Sequence, residues 1–225
     1  MPFAQGEVIF ENRHDAGKKL AEELRGYETR SVVVLAIPNG GVPVALEVAM
    51  ALKAELDFVI TRKIPMPLNP EAGFGAVADD GTIILNEEIV KRIGLRPQQI
   101  SEQVNKVRAA IRQRSLVYRG DRPLSSVTAK TAIIIDDGLA SGFTMMAAVE
   151  SVRPRRPKEI VVAAPAASAT AVKRLEKVAN EVVTCVTAFT PRFAVADFYR
   201  YWRDISDDEV IRYIRQWQMR HLPQH

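Results

Sequence analysis

The residues best suited to chemistry are Asp136 and Asp137, two adjacent carboxylates at the end of the apolar, β-branched run Thr131-Ala132-Ile133-Ile134-Ile135. Behind them come Gly138-Leu139-Ala140-Ser141-Gly142-Phe143-Thr144, a loop of small and hydroxylated residues, and then a helical pattern through Met145, Ala147, Ala148 and Val149. The order is strand, acidic edge, loop, helix. Neighbouring carboxylates repel each other and are costly to bury unpaired, so they need water, a metal or hydroxyl donors. The loop opens a helix, whose first N–H groups lack partners inside the helix and attract phosphate. A molecule carrying both vicinal hydroxyls and a phosphate satisfies both halves. In an open α/β sheet such a ligand sits beyond the carboxyl ends of the strands, where this stretch would lie.

Spacing excludes three other readings. No Lys follows Gly142, so the stretch is not a Walker A loop. Gly138 and Gly142 do not make G-x-G-x-x-G, and the acids precede the loop, so it is not a dinucleotide fingerprint. Ile135 stands where an Asp-x-Asp phosphatase start needs its first Asp.

Two further segments offer anion chemistry. Ala36-Ile37-Pro38-Asn39-Gly40-Gly41-Val42 is again a strand end, then glycines, then a helix, with backbone N–H groups suited to a second anion. Thr61-Arg62-Lys63 places two cations at the expected end of another strand, where they suit a polyphosphate.

The elements that must position these residues alternate. Helix is expected over Asp15–Leu24, strand over Ser31–Ile37, helix over Val42–Leu52 and strand over Leu56–Thr61. Lys63–Asn69 is rich in proline and reads as loop. Ala76–Asn86 reads as a hairpin turning at Asp80-Gly81. A long helix over Gln98–Tyr118 keeps Ile100, Val104, Val107 and Ile111 on one face. After the acidic strand come strand Ile160–Ala164, helix Ala169–Val178, strand Glu181–Val186 and a closing helix Asp207–Trp217. Strands alternating with helices predict a Rossmann-like parallel sheet flanked by helices. Arg119–Ala129 is too short a linker to mark a domain boundary.

Composition bounds the partners. The chain has 225 residues, 47% of them hydrophobic and 26% charged, with a formal charge of +4, the balance of an ordinary globular domain. The sequence pI near 9.3 suits an anionic small molecule at least as well as nucleic acid. The basic run Lys106, Arg108, Arg112 and Arg114 reads as a solvated helix face, and nucleic acid is not the expected partner. No apolar run reaches membrane-spanning length and no leader precedes the first helix, so a cytoplasmic location without a membrane partner is expected. The single cysteine, Cys185, sits in an apolar strand and is expected to pack rather than react. His14, His221 and His225 are too scattered to cage a metal.

The stretch Ile133–Thr144 resembles, along its whole length, the phosphoribosyl pyrophosphate (PRPP) signature of type I phosphoribosyltransferases. The resemblance covers most of the chain and is specific at the signature. It implies an α/β fold with a flap insertion, here 63–120, and a small aromatic hood with a closing helix, here 188–225, on a single domain spanning 1–225. It implies that Asp136 and Asp137 hold the ribose hydroxyls and Mg²⁺, directly or through water. Ala140, Ser141, Gly142, Phe143 and Thr144 would hold the 5′-phosphate. Pro38, Asn39, Gly40 and Gly41 would hold pyrophosphate, with Pro38–Asn39 the candidate for a cis peptide bond. Arg62 and Lys63 resemble the Arg-Lys pair of adenine and orotate enzymes and would steady the departing pyrophosphate.

The tail resembles a different branch. Phe193, Phe198, Tyr199, Tyr201 and Trp202 form an aromatic cluster ending in Arg203-Asp204-Ile205, similar to the tail of purine-salvage enzymes, which makes Phe193 and Asp197 the base-side candidates. The bland alternative is that these aromatics pin the closing helix or form a dimer contact. Three positions depart from the family pattern: Asn39 where Lys or Arg is common, Ala140 where 6-oxopurine enzymes carry Asp, and no Lys near Ala164 and Pro165. The implied activity is transfer of a phosphoribosyl group from Mg-PRPP to a nitrogen nucleophile, a nucleobase, with release of pyrophosphate. The base is not assigned, and a homodimer is compatible with the tail. The alternatives are a regulator that senses PRPP or a nucleotide without chemistry, and a phosphohydrolase using the same anion loops.

Overall fold

The computed structural model describes residues 8–67, 69–120, 123–190 and 192–221. Leu68 of the expected Pro-rich loop, Asp121 and Arg122 of the linker, Pro191 at the head of the aromatic tail, and His225 lie outside them.

Five strands form the central sheet, all but β2 rich in β-branched residues or alanine: β1 (Val32–Ala36), β2 (Glu55–Phe58), β6 (Thr131–Ile135), β7 (Glu159–Ser168) and β8 (Glu181–Ala188). Their order is β2-β1-β6-β7-β8 and every pairing is parallel. The central strands are buried on both faces, which is why they read as continuous apolar runs rather than alternating ones. Helices α1 (Arg13–Glu23) and α2 (Gly41–Leu52) cover one face. Helices α5 (Phe143–Val152) and α6 (Ala169–Leu175) cover the other. The expected parallel α/β sheet is therefore present.

A second sheet differs from expectation. The apolar run from Leu56 has a break that its composition hides: β2 ends at Phe58, Val59 and Ile60 turn the chain, and β3 (Thr61–Met66) begins a separate antiparallel sheet with β4 (Asn69–Ala78) and β5 (Ile83–Leu85). Val59 and Ile60 are both buried, so no polar or turn residue marks the corner. The expected loop over Lys63–Asn69 is thus largely strand, and Pro65 is accommodated where the β3–β4 register shifts. The hairpin at Asp80-Gly81 is as expected: Gly81 has φ +95° and Asp80 accepts from the Thr82 N–H at 2.9 Å. A short helix α3 (Glu87–Ile93), capped by Asn86, adds an element that the sequence pattern does not announce.

The long helix α4 (Pro97–Arg119) buries Val104, Val107 and Ile111 together with Ile64, Phe74 and Val77 of the small sheet. On the other side of that sheet, Ala76 and Ala78 meet Ala147 of α5. The small sheet is thereby packed between α4, which belongs to the same segment 63–120, and α5. The chain closes with α7 (Asp207–His221), which buries Val210 and Ile214 in the same core as α2. Cys185 is half-buried against two clusters, and burial pushes its thiol up to about 12, so it packs rather than reacts.

Candidate active site

Strands β1 and β6 end level, because Ala36 pairs with Ile135. Two loops therefore leave the sheet side by side at its carboxyl edge, 37–40 before α2 and 136–142 before α5. Their separation is small enough that Gly40 is required: a Cβ there would lie 1.9 Å from Asp137 Oδ2. The Pro38–Asn39 peptide bond is cis, as the family resemblance implied.

The 136–142 loop borders a cleft of about 380 Å³ lined by Lys63, Gly73, Gly75, Asp136 and residues 138–145. Three of its carbonyls are taken by residues that do not line the cleft. The Leu139 carbonyl accepts from the Ser168 N–H at 2.9 Å, the Ala140 carbonyl from Ser168 Oγ at 2.7 Å, and the Ser141 carbonyl from Arg174. In a trans peptide the carbonyl and the following N–H point in opposite directions. The N–H groups of Ala140, Ser141 and Gly142 are thus turned away from those partners, at the start of α5, with the Ser141 and Thr144 side chains beside them. Gly142 itself sits at φ +80°, where it serves as the α5 N-cap.

The two carboxylates have unlike surroundings. Asp136 lines the cleft, and its Oδ1 accepts the Asp137 N–H at 2.9 Å. Burial pushes its carboxyl well above the usual range, and the adjacent Asp137 charge pushes the same way. Asp137 instead pairs with Arg13, whose Nε donates to Oδ2 at 2.8 Å; only 7% of the Arg13 side chain and 15% of the Asp137 side chain are exposed. Burial raises Asp137 as well, but Arg13 pulls it back, so Asp136 is the member that retains a proton more readily. Tyr199 donates from its hydroxyl to the Asp137 carbonyl at 2.6 Å. Val195 lies so near Gly138 that an added Cβ would approach it to 2.4 Å.

The 37–40 loop is occupied differently. Asn39 Nδ2 donates to the Ile205 carbonyl at 2.8 Å and to Asp207 Oδ1 at 2.9 Å, and Asn39 Oδ1 accepts from the Tyr118 hydroxyl at 2.9 Å. Arg114 adds an ion pair to Asp207 at 3.3 Å. Burial would raise Asp207, but the hydrogen bonds from Tyr118 and Asn39 and the charges of Arg114 and Arg62 outweigh it and leave the carboxyl below its usual range.

Several expectations need correction. Arg62 and Lys63 do not end a strand of the parallel sheet; they lie within β3, where alternation sends them to opposite faces. Lys63 lines the cleft, whereas Arg62 is half-buried toward Arg114, Asp207 and Tyr118. Phe193 packs on Phe198, with ring centroids 5.1 Å apart, in the cluster around Phe10 and Val186. Asp197 is exposed in a short 3-10 turn. The basic run divides: Lys106 and Arg112 are solvated, while Arg108 donates to the Gly81 carbonyl and Arg114 pairs with Asp207. Sequence reasoning missed Arg13, Tyr118, Val195, Tyr199 and Asp207, which reach the two loops from distant elements. Among the described residues no group of three or more His, Cys, Asp or Glu is placed to cage a metal, and no helix is long and apolar enough to cross a membrane.

A parallel sheet with paired acids and a loop that opens a helix at its carboxyl edge is the arrangement of the phosphoribosyl transferase domain, and the model of that family matches residues 8–198. The chain belongs to this family, with the type I fold. It is 37% identical over 206 residues to the proteins described as "Putative phosphoribosyl transferase MT0597" and "Putative phosphoribosyl transferase Rv0571c" from two strains of Mycobacterium tuberculosis, matching 92% of this chain and 46% of each of theirs. The chain thus spans about half the length of these curated relatives. It is also similar to the crystal structure of TT1426 from Thermus thermophilus, with 35% identity, a TM-score of 0.76, and coverage of 93% of this chain and 99% of that one.

Proposed function

We propose that the chain binds PRPP with Mg²⁺ and transfers its phosphoribosyl group to a nitrogen nucleophile, a nucleobase, releasing pyrophosphate. The observation that carries this reading is one cleft that combines Asp136, Lys63 and the anion-turned loop Ala140–Thr144. The backbone N–H groups of that loop, with Ser141 and Thr144, suit the 5′-phosphate. Asp136 and Asp137 face the ribose hydroxyls, and their charge steadies the cationic sugar that forms as the bond at C1 breaks. Lys63 and the backbone of Asn39, Gly40 and Gly41 stabilise the departing pyrophosphate.

One or two carboxylates and no protein cage fit Mg²⁺, which is commonly held jointly by such acids and substrate oxygens. Asp136 and Asp137 would hold it, and it would supply charge neutralisation. On this reading 63–120 acts as the flap and the residues from 188 onward as the hood of one domain. Catalysis is then mostly positioning and electrostatics.

The test is calorimetric titration with PRPP, with and without MgCl₂, followed by a screen of nucleobases for pyrophosphate release. Magnesium-dependent binding that Asp136→Asn abolishes, with pyrophosphate released for some base, is the expected result. Absence of binding by the unaltered protein would remove the reading. A second reading, a non-catalytic sensor of PRPP, is favoured by one observation: the Asn39 amide is engaged by Tyr118, Ile205 and Asp207, so this position contributes no cation to pyrophosphate. Binding without pyrophosphate release under any base would select the sensor.

A further inference from the structure

Resting on the PRPP-binding reading, we propose that Arg13, at the start of α1, is the positioning residue of the acid pair: it acts on the sugar site through Asp137 and fixes where that carboxylate can be.

Arg13 makes several separate contacts, one of them over the Tyr199 ring at 6.0 Å. Its Nε donates to Asp137 Oδ2 at 2.8 Å, its Nη1 donates to the Arg203 carbonyl at 2.8 Å, and its guanidinium carbon lies 3.8 Å from the centroid of the Trp202 ring. A planar fork that bonds in two directions while stacking on an indole is a task for Arg and not for Lys. The guanidinium is thus set by the C-terminal segment, and in turn sets Asp137. The same oxygen, Oδ2, also abuts Gly40, where there is no room even for a Cβ. The carboxylate is therefore confined between the cation and the loop proposed to hold pyrophosphate.

The confinement has a chemical purpose. Asp136 and Asp137 are adjacent, half-buried and like-charged, and without a cation they would compete for hydroxyls, protons and space. Arg13 is the cation whose Nε meets this pair, and it meets Asp137. With Arg13 in place Asp137 has one allowed position, and Asp136 is presented to the cleft. Without it, the second carboxylate is an uncompensated buried charge, a situation relieved by movement or protonation. Either response would alter the sugar site.

The proposal differs from a plain buried ion pair in one measurable respect. An ion pair that only holds the fold would affect stability, and its loss would add to any other loss of affinity. A residue acting through Asp137 has no effect on affinity once Asp137 carries no charge. The experiment is a double-mutant cycle on PRPP affinity in MgCl₂, read by calorimetry on the full chain, with melting temperature recorded for each variant. Arg13→Met keeps much of the aliphatic packing against Trp202. It should weaken PRPP binding by about tenfold or more, as should Asp137→Asn, the scale typical of lost supporting contacts at such sites. The double variant Arg13→Met/Asp137→Asn, which leaves no unpaired buried charge, should bind within about twofold of Asp137→Asn alone. If Arg13→Met does not fold, the comparison of the double variant with Asp137→Asn still decides. A further loss of about tenfold in the double variant, or undiminished binding by a folded Arg13→Met, would overturn the proposal. No PRPP binding by the unaltered protein would remove the functional reading and this proposal together, a result distinct from either.

Discussion

Two loops leave neighbouring strands at the same level, yet the chain treats them in opposite ways. The 136–142 loop is held from behind: the carbonyls of Leu139, Ala140 and Ser141 are taken by Ser168 and Arg174, which turns the N–H groups of Ala140, Ser141 and Gly142 the other way. The 37–40 loop is held from the side: the Asn39 amide is saturated by Tyr118, Ile205 and Asp207, and Gly40 presses on Asp137. One loop borders the cleft and, on the proposed function, receives the phosphate; the other is anchored by its side chain. The contrast explains how a family position often filled by a cation can be Asn here. Its side chain is used for anchorage, while the loop backbone remains beside the acids.

The strongest way to break this contrast is at the point where the two loops touch. Gly40→Ala places a methyl group 1.9 Å from Asp137 Oδ2, against a carboxylate that Arg13 holds in place. The expected loss of stability is about 3 kcal/mol, the upper part of the usual range for overpacking. It is checked by urea denaturation, and a loss below about 0.5 kcal/mol, the size of an ordinary surface substitution, would show that the loops are not tightly coupled.

A smaller effect is expected within the loops themselves. Asn39→Ala removes the bonds to Ile205, Asp207 and Tyr118 and should destabilise by roughly 1–3 kcal/mol. Ser141→Ala in the receptive loop should leave stability within about 0.5 kcal/mol, as for surface substitutions, while weakening PRPP binding severalfold. Parallel denaturation and titration of the two variants would show whether anchorage and reception are divided in this way; equal stability losses would blur the distinction.

The smallest effects, and the most diagnostic in sign, concern pH. Asp136, beside the receptive loop, has its carboxyl raised, so its charged form destabilises the fold: the penalty is absent below the unfolded value near 4 and grows as pH rises toward the folded one. Asp207, beside the anchored loop, has its carboxyl lowered, so it stabilises above about pH 4 and the contribution is lost as pH falls through the folded value. Asp136→Asn should therefore raise the melting temperature at about pH 7, and Asp207→Asn should lower it. Both differences should shrink as the pH is taken below about 4. Shifts of the same sign at neutral pH would contradict the unlike environments of the two carboxylates.

Much of the receptive loop is legible in the residues. Its strand, acids, glycines and hydroxyls are consecutive, so local chemistry and local structure coincide. The loop at Pro38–Gly41 is legible for the same reason, whereas its cis bond is a candidate only through the family resemblance. What cannot be read depends on distance in the chain. Arg13 meets Asp137 across 124 positions and Asn39 meets Asp207 across 168, and neither partner has a spacing that announces the other. The corner at Val59 and Ile60 is hidden because both residues are buried and apolar, which is also what a continuing strand requires. The aromatic tail stands out in the sequence, but composition cannot say which ring faces the site, and Tyr199 and Trp202 rather than Phe193 reach the acid pair and its arginine. With Lys63 and Arg62, alternation on a strand separates two residues that read as one cationic pair.

The dependence of the acid pair on residues 199–203 also bears on the order in which the molecule is made. Synthesis proceeds from the N-terminus, and domains acquire structure as they emerge. The parallel sheet is complete once β8 has left the ribosome, and both loops then exist. The guanidinium that confines Asp137 still lacks its indole and its carbonyl partner, and Asn39 still lacks Asp207. Until residues 199–207 have emerged, the carboxylates at the sheet edge therefore lack the contacts that hold them in place.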